Sequence, residues 1–348
     1  MKGRVVILDH LNDRRAAALL VDGVLEDFAL DPPEAAPALP GAIFRGVANR
    51  PLKGQGGTII ELEGVNGFLR GGGNLAVPGR PLLVQVTGVA EPGKAIPVTS
   101  RVLFKSRTCI VTPGAPGVNV AKSINDEARR FDLKSLGEEL LGGAAHGIIF
   151  RSAAAETELD EVAQDLRDQL DLAAALLEDG RKGPPALLLD APDAHHMAWR
   201  DWGRPAPDQV VTDPGGFMEF GILDALDDLR RAGTSLDTGA LLFVEPTRAM
   251  IAVDVNTGRD TSGAAGLKAN IAAARALPRL LRLKGLGGQI VVDFAPMPKK
   301  DRKQLDQVLR AAFRNDPVET SLVGWTPMGH VELQRKRDRL PLYAQDLP

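Results

Sequence analysis

AMIAVDVNTGR, residues 249–259, is an apolar run interrupted by one acid, and QIVVDFA, residues 289–295, is another. At the two-residue period of a strand, Ala252, Asp254 and Asn256 share one face of the first run, with Ile251, Val253 and Val255 on the other. In the second run Val291, Asp293 and Ala295 share a face, with Ile290, Val292 and Phe294 opposite. Each acid sits near the C-terminal end of its strand, where an ionised carboxylate beside a core is costly unless paired or bound to a cation. A helical stretch from about Gly266 to Lys284, closed by Gly285, Gly287 and Gly288, separates the runs. Strand–helix–strand order predicts a parallel or mixed sheet, with ligands at the C-terminal strand ends. Two carboxylates and the Asn256 amide make an all-oxygen environment suited to Mg2+ or Mn2+, with water completing an octahedron. Such an ion polarises a phosphodiester and activates water. The competing reading is that each Asp caps a helix or a turn, which is natural for Asp254, before a loop, and less so for both.

Outward from this pair, ALLFVEP forms a hairpin with AMIAVDVN, turning near Pro246-Thr247. Downstream come a basic helix, KKDRKQLDQVLRAAF, a strand, TSLVGW, and the segment VELQRKRDR. Residues 186–237 hold ALLLDAP and a helical GILDALDDLRRAG. In residues 105–185, CIVTP and GIIFRS read as strands, and TELDEVAQDLRDQLDLAAALLED reads as an acidic amphipathic helix with Leu159, Val162, Leu166 and Leu170 at helical spacing. Residues 41–104 carry five short β-runs, AIFRGVA, GTIIELE, GFLR, LLVQVTG and IPVTSRVLF, which suit a small barrel such as an OB-fold. The Gly71-Gly72-Gly73 run is a loop without the Gly-Lys-Ser/Thr ending of a P-loop. DPPEAAPALP, residues 31–40, is a Pro-rich linker, and residues 1–30 read as strands with a turn at Asp22-Gly23.

Composition narrows the function classes. With 348 residues, 44% apolar and 25% charged, the chain has the make-up of a soluble globular protein of two or three domains. Only 4% is aromatic, so the cores must be built from Leu, Val, Ile and Ala. No uncharged apolar stretch reaches the roughly 18 residues of a membrane span. The N-terminus turns charged too early for a secretory signal. One cysteine, Cys109, allows neither an internal disulfide nor a CxxC metal motif, and a cytoplasmic location is expected. The net charge of −3 conceals a basic end, since residues 268–340 hold 15 Lys and Arg against 7 Asp and Glu. That asymmetry fits a face for a polyanion or a solvated helical surface. His195-His196 lack ligand spacing and are expected in a loop, while His10 and His330 read as structural or surface residues.

AVDVNTGRDT followed by LRLKGLGGQIVVDF closely resembles the catalytic core of the ribonuclease E/G family, whose pattern runs Asp-Ile-Asn-Ser-Ala/Gly-Arg and then Leu-Arg-Leu-Arg-Asp-Leu-Gly-Gly-Ile-Ile-Val-Ile-Asp-Phe. LKANIAAA resembles the family's Thr-Asn-Leu-Glu-Ala-Ala helix, and MGHVELQRKR its Phe-Gly-Leu-Leu-Glu-Met-Ser-Arg-Gln-Arg. The resemblance extends, more weakly, through most of the chain. It implies a composite α/β fold: a ribonuclease-H-like part from residues 1–37 and 186–237, an inserted S1-like OB barrel at 38–104, a 5′-sensor-like segment at 105–185, and a deoxyribonuclease-I-like catalytic domain at 238–348.

By position, the resemblance makes Asp254 and Asp293 the metal ligands and Asn256 a residue that orients a metal-bound water or the carboxylates. Phe68 is the retained barrel aromatic, either a base-stacking residue or a barrel-core Phe, and Lys94 aligns with an RNA-holding lysine. GIIFRSAA resembles Gly-Leu-Ile-Val-Arg-Thr-Ala-Gly, which implies that Arg151 and Ser152 contact an RNA 5′-monophosphate, with Lys122 as a second base. Arg259, Lys268 and the 299–303 cluster are candidates for positioning the RNA backbone. Pro327 replaces a basic residue of the family's Ser-Arg-Phe-Gly, and Ile59 takes a barrel aromatic position. The sequence stops at Pro348, before the family's zinc-linking Cys-Pro-x-Cys, so no structural zinc and no zinc-linked dimer are expected; association through other surfaces stays open. Cys109 reads as a buried hydrophobe.

The expectation is therefore a metal-dependent endoribonuclease acting on single-stranded RNA in maturation or turnover, favouring 5′-monophosphate ends. Two rivals are an RNA-binding protein with weakened or lost nuclease activity, motivated by Pro327 and Ile59, and a scaffold that uses the acidic helix at 157–179 as a partner surface.

Overall fold

The computed structural model describes residues 2–34, 36, 38–52, 54–71 and 76–345. The chain divides into two compact units, one of Met1–Ala35 with Val210–Pro348 and one of Ala36–Gln209, so the second is inserted in the sequence of the first. The first unit opens with an antiparallel meander of β1 (Arg4–Leu11), β2 (Arg14–Val21) and β3 (Val24–Leu30). Its tight turns place Asn12, Asp13 and Asp22 at positive φ, a region that Asn and Asp tolerate better than other residues with side chains.

The inserted unit begins with β4 (Ile43–Leu52), β5 (Gly57–Glu61), β6 (Asn66–Arg70), β7 (Pro81–Val86) and β8 (Ile96–Thr99). They run β4-β5-β6-β8-β7, and β7 returns to pair with β4, closing the five-stranded barrel that the short β-runs suggested. Phe44, Ile60, Leu69, Val84 and Val98 fill its interior. Gly71 lies in a turn, while the rest of the triple-glycine run falls outside the described residues. Next come β9 (Phe104–Lys105), β10 (Cys109–Pro113), β11 (Gly117–Val120), α1 (Glu127–Leu141), β12 (His146–Phe150) and α2 (Leu159–Asp179), with the strands in the order β11-β12-β10-β9. Helix α1 was not legible in the sequence. It buries only Leu133 and Gly137 and is set by its ends, where the Asp126 side chain accepts from the N–H groups of Ala128 and Arg129 and a left-handed Gly142 stops it. Helix α2 buries Val162, Leu166 and Leu176 and turns most of its charges outward, while Asp165 points inward and accepts from Ser106 Oγ at 2.7 Å and the Thr108 N–H at 3.1 Å. Cys109 is buried, which pushes its thiol up to about 12.

The stretch 186–237, expected to complete the part begun by residues 1–37, is divided instead. Strand β13 (Ala186–Leu189) pairs with β4 of the barrel, and α3 (Ala194–Trp202) belongs to the inserted unit. Backbone hydrogen bonds are alike for all residues, so a four-residue apolar run does not reveal which sheet edge it completes. His195 and His196 lie in the first turn of α3, capped by Asp193, rather than in a loop.

From β14 (Gln209–Val211), which pairs with β1, the chain rejoins the first unit. It continues through α4 (Gly216–Glu219), α5 (Ile222–Arg230), β15 (Gly233–Ser235), β16 (Leu241–Pro246), β17 (Ile251–Asn256), α6 (Ala265–Leu283), β18 (Gly288–Asp293), α7 (Arg302–Arg314), β19 (Thr320–Trp325) and β20 (Val331–Arg335). The strands form one sheet, β15-β16-β17-β18-β20-β19, in which β17 and β18 are the parallel pair and α6 is their crossover. Helix α6 lies against β16 and β17 and also against β3, so Ala273, Leu277, Leu280 and Leu281 are all buried.

Part of the basic surplus of residues 268–340 is inside this unit and not on a face. Arg282 ion-pairs with Glu26 and Asp316, Arg335 with Asp316 at 2.9 Å, and Arg339 with Asp27, whose neighbour Phe28 also offers its carbonyl. Burial alone would raise the Asp27 carboxyl, but the charge and hydrogen bonds of Arg339, the charge of Arg282 and the Phe28 N–H outweigh it and hold it below the ordinary range. No helix among the described residues is long and apolar enough to cross a membrane.

Candidate active site

Strand β17 is buried and exposed in strict alternation, so Ile251, Val253 and Val255 enter the core while Ala252, Asp254 and Asn256 stand on the open face. In β18, Ile290 and Val292 are buried and Asp293 is exposed, its side chain at 63%. The carboxylates therefore lie on solvent, and not against the core as their apolar surroundings suggested. The period-two alternation sends the apolar neighbours of each acid to the other side of the sheet.

Asp254 and Asp293 are direct partners in the parallel β17–β18 ladder. Neighbouring strands lie about 4.8 Å apart, so two like charges stand side by side on one face, an arrangement unfavourable without a cation. Among the described residues no Lys or Arg forms an ion pair with either. Asn256 Nδ2 donates to Asp254 Oδ2 at 2.7 Å. On the far side of β18, Val292 is opposite Val331, so His330, one residue before β20, continues that ladder opposite Asp293. Its Nδ1 lies 3.8 Å from Asp293 Oδ1. On the near side Phe243 is opposite Asp254, its ring over Gly233, where a methyl group would fall 2.7 Å from it. Phe243, Asp254, Asp293 and His330 thus form one row across four strands or their ends. Neither Phe243 nor His330 stood out in the sequence, because each enters the row only through cross-strand register.

Among the described residues no three His, Cys, Asp or Glu side chains are grouped to hold a metal ion. Mg2+ commonly takes one or two carboxylates and keeps water and phosphate as its other ligands. The donor set of Asp254 and Asp293 fits such an ion.

The chain leaving Asp293 is clamped by α6. Asn270 is fully buried, donates to the Ala295 carbonyl at 2.9 Å and accepts from the Ala295 N–H at 2.9 Å. Gly266 approaches Pro296 so closely that a methyl group would strike its carbonyl oxygen. Asn270 was also missed, although a lone amide on an apolar helix face was the signal. Arg259 is exposed in the turn after β17, and Lys268 sits 3.8 Å from Asp260. In the 299–303 cluster, Arg302 stacks on Trp325 at 4.3 Å from the ring centre, while Lys299, Lys300 and Lys303 are exposed. Pro327 is exposed in the turn before His330.

Within the inserted unit, Phe68 lies opposite Ile59 and Pro97, partly exposed and outside the barrel core. Its ring covers Gly57, where a Cβ would collide with it. Lys94 occupies the turn before β8 and ion-pairs with Glu91. The parallel strands β11 and β12 end together, so Lys122 and the Arg151-Ser152 step leave the sheet at one edge. Lys122 is exposed, but the Arg151 guanidinium is occupied. It donates to Asp201 Oδ1 at 2.7 Å and to the carbonyls of Ser106 at 2.5 Å and Arg200 at 3.1 Å. The Ser152 carbonyl accepts from Arg204. Lys105 and Arg200 also pair with Asp201, each at 2.8 Å. Burial alone would raise the Asp201 carboxyl, but hydrogen bonding and charge from Arg200, joined by Lys105, hold it well below the usual carboxylate range. The free phosphate-binding Arg expected at 151 is thus turned into a three-cation cluster on one carboxylate.

The sequence pattern of the Ribonuclease E/G family matches residues 104–219 and 213–338. Ribonuclease G of Salmonella typhimurium is 27% identical, over 92% of this chain and 77% of its own length. Ribonuclease E of Nostoc sp. is 26% identical over 77% of this chain and 44% of its own length. Ribonuclease G of Haemophilus influenzae is 27% identical over 75% of this chain and 60% of its own.

Proposed function

This chain belongs to the ribonuclease E/G family, and from that premise we propose that it is a metal-dependent endoribonuclease that hydrolyses phosphodiesters within single-stranded RNA. The observation that carries the reading is the parallel register of Asp254 and Asp293, two exposed carboxylates at the C-terminal ends of adjacent strands. They would hold Mg2+ or Mn2+ between them. When bound, such an ion stabilises charge on the phosphate and makes its water a nucleophile near neutral pH. Asn256 fixes the Asp254 carboxylate by its 2.7 Å hydrogen bond, and Asn270 fixes the backbone beyond Asp293. Addition of the water oxygen to phosphorus, with departure of the 3′ oxygen and net transfer of a water proton to it, would leave 5′-phosphate and 3′-hydroxyl ends. Phe243, the cross-strand partner of Asp254, turns its ring over Gly233. Phe68 and Lys94 on the barrel would contact RNA through stacking and charge, and Arg259 and Lys268, in the turn and helix after β17, would contact its phosphates.

In this reading β1–β3 and β14 are the ribonuclease-H-like part, the barrel is the S1-like RNA-binding element, and the sheet of β15–β20 is the deoxyribonuclease-I-like catalytic part. A preference for 5′-monophosphate ends belongs to the same reading, with Lys122 and Ser152 as the groups at hand. Arg151 contributes only if phosphate displaces Asp201 from its guanidinium.

The test is cleavage of defined single-stranded RNAs in Mg2+ and in Mn2+, with Asp254→Asn as control. Cleavage by wild-type protein, lost on chelation and lost in Asp254→Asn with RNA binding kept, is the expected result. Wild-type protein that binds these RNAs and cuts none in either metal would replace the nuclease reading with that of an RNA-binding protein, which Pro327 in place of a family base and Ile59 in place of a family aromatic favour.

A further inference from the structure

The two carboxylates of the row are not equally supported. Asp254 accepts a hydrogen bond from Asn256, a side chain on its own strand. Asp293 has no such donor on β18, since two residues on the chain has left the strand and the residue there is Ala295. The donor facing Asp293 comes from the next strand, where His330 continues the β18–β20 register.

We propose that His330 is a positioning residue for cleavage, its imidazole N–H holding the Asp293 carboxylate as the Asn256 amide holds that of Asp254. The inference rests on the reading of Asp254 and Asp293 as the pair that holds the divalent cation. At 3.8 Å the contact is longer than a hydrogen bond, and it closes when the carboxylate is drawn into place, as such bonds commonly do between the free and loaded states of a site. A neutral imidazole suffices in its Nδ1–H tautomer, which sets the donor toward Asp293 and leaves Nε2 as the acceptor. Carboxylates that bind metal are held in this way by hydrogen-bonding neighbours.

The turn that carries His330 does not need the imidazole. It is closed by backbone and threonine groups: the Thr326 N–H donates to the His330 carbonyl at 2.8 Å, and the His330 N–H donates to Thr326 Oγ1 at 3.1 Å. Any residue but proline would keep both bonds at this position. The side chain is 25% exposed and lies outside the hydrophobic cluster of this unit. The family motif that MGHVELQRKR resembles has an apolar Leu where this chain has His330, so this donor is a property of this chain.

The experiment is calorimetric titration of the full chain with Mn2+ alone, for wild type, His330→Ala, His330→Asn and Asp254→Asn, with thermal melts and RNA cleavage alongside. The Asn side chain places an amide N–H where the imidazole Nδ1 lies. Mn2+ affinity is expected to fall about 10- to 100-fold in His330→Ala and to return to within a few-fold of wild type in His330→Asn, with unchanged melting temperatures. Cleavage by His330→Ala should recover at high Mn2+ with its KM for RNA unaltered. Wild-type Mn2+ affinity in His330→Ala, beside its loss in Asp254→Asn, would overturn the inference and leave the nuclease site standing. Equal loss in the Ala and Asn variants would also overturn it, by making the imidazole a ligand or a packing group. Saturable Mn2+ binding absent from wild type would overturn both.

Discussion

Asn270 grips both the N–H and the carbonyl of Ala295, two residues beyond Asp293, from a fully buried position on α6. Asn270→Ala strands two buried backbone groups, each costing roughly 1–3 kcal/mol. Urea denaturation should show a lowered midpoint, and cleavage should fall further than stability accounts for, because the end of β18 is released. A variant with wild-type stability and activity would show that water replaces the amide without consequence.

Phe68 stands on the outside of the barrel, over Gly57 and beside Ile59. Phe68→Ala should leave the free energy of unfolding within about 1 kcal/mol of wild type, as expected for a partly exposed ring away from the core. It should weaken single-stranded RNA binding by ~1–3 kcal/mol, with Phe68→Trp retaining affinity. Fluorescence anisotropy with a labelled oligonucleotide measures this, and unaltered affinity in the Ala variant would assign the ring to packing.

Asp201 holds Lys105, Arg151 and Arg200 together. Asp201→Asn leaves three cations crowded around a neutral amide. Loss of such a centre costs about 3–5 kcal/mol when fully buried, and roughly 1–3 kcal/mol at this partial exposure. The loss should shrink as salt is raised. Arg151→Ala should likewise lower stability. Comparing cleavage of 5′-monophosphate and 5′-triphosphate RNA in folded Arg151→Ala separates that structural role from end recognition; equal rates already in wild type would remove the sensing role.

Asp27 and Asp201 are both held below the ordinary carboxylate value of 3.8 in the folded chain. A carboxylate with a depressed folded value contributes stability above its unfolded pKa and loses it as pH falls toward the folded one. Stability from these two groups should be flat from neutral pH to about pH 5 and decline progressively below about pH 4. Chemical denaturation across pH 2–7 tests this, and Asp27→Asn should flatten the acid limb while lowering the plateau.

Much of the candidate site was legible in the chain alone. The alternation of AMIAVDVN and QIVVDFA placed Asp254, Asn256 and Asp293 on faces opposite their apolar neighbours, and the helix between them implied the parallel crossover that β17, α6 and β18 form. The five-stranded barrel was legible from its short runs and glycine turns. These features follow from local backbone geometry, in which period and turn chemistry are written residue by residue. Tertiary structure alone decided that the carboxylates face solvent side by side, that His330 and Phe243 extend their row, and that Ala186–Leu189 completes the barrel. It also turned Arg151 to Asp201 and Arg339 to Asp27, residues 50 and 312 positions away in the chain. Strand register is set by hydrogen bonds that every residue offers alike, and ion pairs by whichever charges packing brings together. Asp254 and Asp293 were therefore readable as two acids, but became a pair only when β17 was laid against β18.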